Sequence, residues 1–341
     1  MKKKAFYFVP VLFVTALYLA AVASPAFGLT TLTFSNHLPT SHMVSKALQE
    51  TANQIDCRTD GEIKIKISDA TALYEKNSSF KAVAMGEIDM AFCRLSSQRD
   101  EVPVFEIVGL PYAFPSLDAI YKRCREGLDD FLDKEANKFG VKVVTVGYAH
   151  YAHFFARNRT LLNPAAYKGL RIHAQQGTIF DVIMALGGTL VSMPAADVYS
   201  ALEQGGLDGH IGSISDVIGK KLYTVEKYGI ISPLNIGPVH VITNLKTWDK
   251  LSADQQRTIN QSLEEMTDGL RTMFRKAALE DGLSRLRQNG MKIHIQCAEE
   301  MDPFRYAIEA LYDRYREKTG KKGKQALNLI LFNPFSFQRI P

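Results

Sequence analysis

Apolar and polar residues alternate over 32–35 and again over 62–68, the two-residue repeat of half-buried strands. Between them, His37-Leu38-Pro39-Thr40-Ser41-His42 leads into a helical pattern over 43–57, and Asp60-Gly61 turns the chain back. A helix over 79–85 stops at Gly86, and Ile88-Asp89-Met90-Ala91-Phe92 opens a third strand. The same order of helix, glycine, apolar residue and aspartate returns in Val198-Tyr199-Ser200-Ala201-Leu202 followed by Gly205-Gly206-Leu207-Asp208-Gly209. A preceding helix has Thr178 as its cap, Asp181 as the third-residue partner and Gly187 as its stop. Strands alternating with helices predict α/β architecture with mostly parallel sheets, and the repeated design predicts two lobes.

Two apolar stretches fit neither lobe alone. The strand over 141–146 runs on through 147–159, and alternation there puts Tyr151, His153, Phe155, Arg157 and Arg159 on one side. The segment 229–242, with Pro233, Asn235, Gly237 and Pro238 in an apolar setting, reads as a second crossing. Ser252-Ala253-Asp254-Gln255 is a capping box opening a helical pattern that lasts to Asn289. At 1.5 Å per residue it spans about 55 Å, enough to bridge both lobes, with a bend near Gly282. A strand over 291–296 and a helix over 302–318 complete the pattern, and Trp248 reads as a core anchor.

Composition adds limits. The chain is 46% apolar and 23% charged, an ordinary globular balance, with a formal charge of +5. The lysines at 318, 321, 322 and 324 lack interleaved aromatics and read as a solvated segment, so no nucleic-acid partner is expected. Residues 1–28 read as an export signal: Lys2, Lys3 and Lys4, an apolar run, then Ala26-Phe27-Gly28; an uncleaved anchor is the alternative. In an oxidising compartment Cys57, Cys93, Cys124 and Cys297 leave disulfide pairing open. No nucleophile elbow, zinc-protease helix or phosphate loop occurs, which argues against an enzyme and against a cofactor. His150 and His153, three apart on a strand, face opposite ways, so no metal site is expected from them.

Ligands of parallel α/β sheets gather at the carboxyl ends of strands, which singles out the loops after the first and third strands, with Asn36 and Arg94. Arg159 is the leading site residue, because a guanidinium meets a carboxylate with two parallel hydrogen bonds. Tyr148, His153 and Asn235 line the crossings beside it.

Arg159, Pro164, Lys168-Gly169-Leu170, Ile172, Tyr199, Ala201, Leu202, Gly205, Asp208 and Gly209 keep the spacing of a known pattern, and so does the Leu110-Pro111-Tyr112-Ala113-Phe114 turn. In these residues the chain resembles the DctP-type extracytoplasmic solute-binding proteins of TRAP transporters, over nearly all of 29–331. The resemblance implies a two-lobe, type II-like periplasmic binding protein whose cleft closes on a small organic acid, carboxylate or sulfonate. It also implies delivery to the small and large membrane subunits of a Gram-negative bacterium, and a monomer. The lobes are expected at 29–152 plus 240–280 and at 153–239 plus 281–331, with a tail over 332–341. The family's two ligand arginines fall on Arg159 and on His173, and its asparagine on Gly212. A neutral imidazole near pH 7 offers an anion one donor at most, so for His173 a ligand contact and a structural hydrogen bond both stay open. Arg94 and Arg157 then become candidates for the missing charge.

Overall fold

The computed structural model describes residues 29–69, 78–174 and 177–330; the stretch read as an export signal and the tail expected over 332–341 lie outside them. Nine strands among these residues form one curled sheet: β1 Thr30–Asn36, β2 Ile63–Asp69, β3 Met90–Cys93, β4 Val141–Ala156, β5 Arg171–His173, β6 Thr189–Val191, β7 Gly209–Gly212, β8 Tyr228–Asn244 and β9 Lys292–Ile295. Their order is β2-β1-β3-β8-β4-β7-β5-β6, with β9 on β8. The outer pairs β1/β2, β1/β3, β5/β6, β5/β7 and β8/β9 are parallel, as expected. The two crossings, β4 and β8, are antiparallel to each other and to β3 and β7. One carries the chain into the second half of the sheet and the other brings it back, so they must run in opposite senses.

The crossing strands are not regular throughout. Ala152 pairs with Asn235 and Phe154 with Ile230, so residues 231–234 of β8 bulge out opposite the single residue His153. Such a break in the ladder frees backbone groups and re-aims side chains, and bulges recur beside binding sites. One core, from Phe80 and Phe105 to Ile172 and Val182, runs through both halves, and two smaller ones follow the halves. Leu32, Phe34, Val44, Leu48 and Ile55 pack with Leu263 and Leu270 on one side. Phe155, Leu202, Leu207 and Val217 pack with Leu283 and Leu286 on the other.

The long helix spans these two cores. Ala253–Arg275 begins at the Ser252/Gln255 capping box, passes through a π segment Lys276–Gly282 and continues as Leu283–Gln288. Early on, Glu265 pairs with Arg58 at 2.6 Å and Thr267 donates to the Val146 carbonyl. Gly282 does more than weaken the helix: a Cβ there would lie 2.6 Å from Ile214 Cγ2, so its absence lets the bent segment seat on the second half. Among the described residues no helix is long and apolar enough to cross a membrane.

Three local expectations change. The helix Thr178–Ala185 is preceded by Gly177 at φ 83°, and Thr178 does not cap it; its hydroxyl donates to the Gly109 carbonyl of the other half. Asp181 pairs with Arg99 and Arg314, at 3.1 and 3.2 Å, instead of closing a capping box. The final helices are Ala298–Ala307 and Glu309–Ile330. The second packs on the first half, where Tyr312 donates to the Pro111 carbonyl at 2.7 Å and Lys322 pairs with Glu135 at 2.7 Å. All four cysteines are free thiols, Cys93 and Cys124 buried and Cys57 and Cys297 exposed.

Candidate functional site

The parallel strands of both halves end toward the same seam. In the first half β1 ends at Asn36 and β3 at Cys93, directly before Arg94. Arg94 lies over Gly237: a Cβ there would sit 2.6 Å from Arg94 Nη1 and 3.4 Å from Asn235 Oδ1, so the glycine leaves the room in which the guanidinium rests. Burial lowers the Arg94 pKa from its ordinary value, while neighbouring Tyr148 works in the opposite sense. An arginine stays charged under such a shift, so this is a half-buried cation. The same burial pushes the Tyr148 phenol up to about 12, with Arg94 pulling against it. Tyr148 is wedged between Phe92 and Phe274, and its hydroxyl is 3.4 Å from His37 Nε2.

In the second half, register sets the face. His153 is the partner of Gly212, and His173 is the partner of His210. Partners point the same way, as do residues two apart on one strand, so His153, His173, His210 and Gly212 share one face at the carboxyl ends of β5 and β7. Gly212 has a reason here. A Cβ would come within 2.8 Å of His210 Nε2, so the imidazole of His210 occupies the room that a side chain at 212 would need. His210 in turn stacks on Phe155 and holds Glu226, with Nδ1 2.7 Å from Oε1 and both residues buried. Sequence reasoning missed this pair, because nothing local marks Glu226 as interior.

The imidazoles have assigned tautomers. His153 Nδ1 is 2.8 Å from the Ser232 carbonyl, in the bulge of β8, and His173 Nδ1 is 3.1 Å from the Val191 carbonyl. A carbonyl only accepts, so Nδ1 of His173 carries the proton and donates; at His153 the Ser232 N–H also faces Nδ1, at 3.3 Å, and the shorter carbonyl contact favours the same tautomer, with Nε2 as the acceptor. Burial lowers both pKa values, that of His153 to about 4, so the rings are neutral at pH 7. Nε2 of His153 is buried and has no protein partner.

The pKa of His153 has a consequence for stability. Unfolded chains bind a proton near pH 6.5 that the folded protein refuses until about pH 4. Stability present at neutral pH is therefore lost as pH falls through that window, by on the order of 3 kcal/mol. Urea midpoints measured from pH 7.5 to 4 should show this limb, and His153→Gln should flatten it. Parallel profiles for the two proteins would rule the assignment out.

Four candidates play other parts. Arg159 is exposed and lies at the wrong end of the sheet. β4 runs antiparallel to β7, from His153 opposite Gly212 to Ala156 opposite Gly209, so each step toward 159 leads to the amino end of β7 and away from the cleft. The strand also stops at Ala156, and alternation does not reach Arg159. Asp208 sits at that same far end, in an exposed pair with Arg171 at 3.1 Å, and Arg157 donates to the Glu203 carbonyl nearby. Asn36 is buried and spent on its own loop: Nδ2 donates to Ser45 Oγ at 2.8 Å, and Oδ1 accepts from the Leu38 N–H. Asn235 is in the seam, where Nδ2 donates to the Gly109 carbonyl at 2.7 Å and Oδ1 flanks Arg94 across Gly237.

Known proteins share this fold. Residues 34–319 match the family described as bacterial extracellular solute-binding protein, family 7. The C4-dicarboxylate-binding periplasmic protein DctP of Rhodobacter capsulatus is 26% identical over 268 residues, 77% of this chain and 79% of that protein. A TRAP periplasmic solute-binding protein from Ochrobactrum anthropi, solved with its C-terminus in its ligand-binding pocket, superposes with a TM-score of 0.82 at 21% identity, covering 89% of this chain and 95% of that one. Another from Chromohalobacter salexigens, with bound D-glucuronate, gives 0.76 at 18% identity, covering 88% and 98%.

Proposed function

The chain belongs to the family 7 bacterial extracellular solute-binding proteins, and from that premise we propose that it captures a small organic acid carrying hydroxyl or amino groups and hands it to a TRAP membrane pair outside the cytoplasm. Proteins of this family are receptors, so no turnover is assigned. The observation that carries the reading is the division of the seam into a cationic side and an accepting side. Arg94, with Tyr148 and Asn235, supplies a half-buried positive charge for a carboxylate. Opposite it, His153 and His173 offer Nε2 lone pairs, which repel an anion and suit a hydroxyl or ammonium donor. The acid end of the solute therefore goes to the first half and its donor end to the second.

Closure follows from having contacts on both halves. A solute that touches only one half binds open and closed forms equally and moves nothing; one that spans Arg94 and the imidazoles favours the closed form by its differential affinity. The bulge at 231–234 is the place where the crossing strands can flex without breaking a full ladder. Relatives that hold a dicarboxylate or a uronate support the acid half of the reading.

The test is a thermal-shift and calorimetric screen of matched acids: uronates, hydroxy acids, amino acids and sulfonates beside analogues stripped of their donors. A buried acceptor left unpaired is costly, so the donor-bearing member of a pair should bind at least tenfold more tightly, about 1.4 kcal/mol. No shift with any acid would end the reading. Equal affinity within pairs would end only its imidazole half.

A further inference from the structure

Cys124, Asp129 and His240 meet inside the first half. Cys124–Leu128 is a π turn in which the Asp129 N–H bonds back to the Cys124 carbonyl, and Gly127 at φ 118° admits the extra residue. In an α-helix, residues five apart point about 140° away from each other. Here the chain kinks at Gly127, and the Cys124 thiol and an Asp129 carboxylate oxygen lie within 4.8 Å of each other. The third member comes from β8: His240 is fully buried, with Nε2 3.4 Å from Asp129 Oδ1. One ligand atom from each residue lies within 4.8 Å of the others. Neither ring nitrogen of His240 makes a hydrogen bond, nor does Asp129 Oδ1, although a buried imidazole ordinarily finds a partner.

We propose that Cys124, Asp129 and His240 bind one divalent transition-metal ion of the zinc class, which clamps the π turn onto β8. Tetrahedral zinc with nitrogen near 2.0 Å and a carboxylate oxygen near 2.1 Å sets those two ligands about 3.3 Å apart, close to the spacing of His240 and Asp129. A thiolate and an imidazole exclude the hard cations calcium and magnesium, which take oxygen ligands. Charge also balances: the ion's two positive charges meet one thiolate and one carboxylate, so the loaded site is neutral, as an apolar interior requires. The thiolate is the ligand form, so binding releases the thiol proton to solvent as the S–metal bond forms.

The metal-stripped protein should take up one equivalent of Co2+ with a thiolate-to-cobalt charge-transfer band. Zn2+ should bleach that band and raise the thermal midpoint, and excess Mg2+ should do neither. Cys124→Ser should remove the band and Asp129→Asn should weaken binding at least tenfold. Should Cys124→Ser not fold, the partly exposed Asp129 provides the same comparison. Cys297→Ser tests the exposed thiol next to the His294–Glu300 pair and should keep the band. Absence of stoichiometric Co2+ binding, survival of the band in Cys124→Ser, unchanged binding in Asp129→Asn, or loss of the band in Cys297→Ser would each overturn the site.

Discussion

Arg94→Ala is expected to lower affinity for the best acid in the screen at least a hundredfold, while Arg159→Ala stays within about threefold of the parent. The difference rests on where each guanidinium sits. Arg94 is half-buried over Gly237, beside Asn235 and Tyr148, so a carboxylate reaching it exchanges part of its solvation for a charge-assisted bond. Truncating one partner of such a pair costs about 2–5 kcal/mol, and a hundredfold loss corresponds to about 2.7 kcal/mol. Arg159 is exposed at the amino end of β7, where any pairing is screened and worth little. Titration calorimetry on both variants, with circular dichroism to confirm folding, decides the matter. Loss of binding in Arg159→Ala with retention in Arg94→Ala would exchange their roles.

The largest effect on stability is expected from Glu226→Ala, a loss of about 3–5 kcal/mol in guanidinium or urea unfolding. Glu226 is entirely inaccessible and its Oε1 is 2.7 Å from His210 Nδ1. Removing the carboxylate strands the imidazole of His210 among Phe155 and its apolar neighbours, and breaking one side of a buried pair has a cost of this size. Glu226→Gln keeps an oxygen that can accept from Nδ1 and should cost about 1 kcal/mol, the scale of a single hydrogen bond. A loss below 1 kcal/mol in the alanine variant would show that the pair does not support the second half. The pair also bears on the cleft, because His210 fills the space beside Gly212 and orients the wall that His173 and His153 share.

Much of the architecture was legible before any coordinates. The capping box at Ser252 and Gln255 starts the long helix as expected, and both apolar crossings are single long strands. The glycines that end helices, Gly86, Gly187 and Gly205, all have positive φ. Such features depend on residues a few positions apart, and periodicity and caps report on that range. The reading of Thr178 as a cap failed for the same reason in reverse: its hydroxyl found a stronger partner, the Gly109 carbonyl, 69 positions away in sequence.

The sequence by itself determined the family, the α/β character, the bridging helix, and the departures from the family pattern at His173 and Gly212. Only the tertiary structure decided toward which end of the sheet the charged groups lie. Alternation tells on which side of a strand a residue points, but not toward which end of the sheet the strand is heading. Because β4 runs against β7, moving from His153 to Arg159 carries the chain out of the seam, and because β8 runs against β3, Arg94 comes to lie over Gly237. Strand direction and register are set by contacts between segments far apart in the chain, and they alone fix the end of the sheet at which a cation lies.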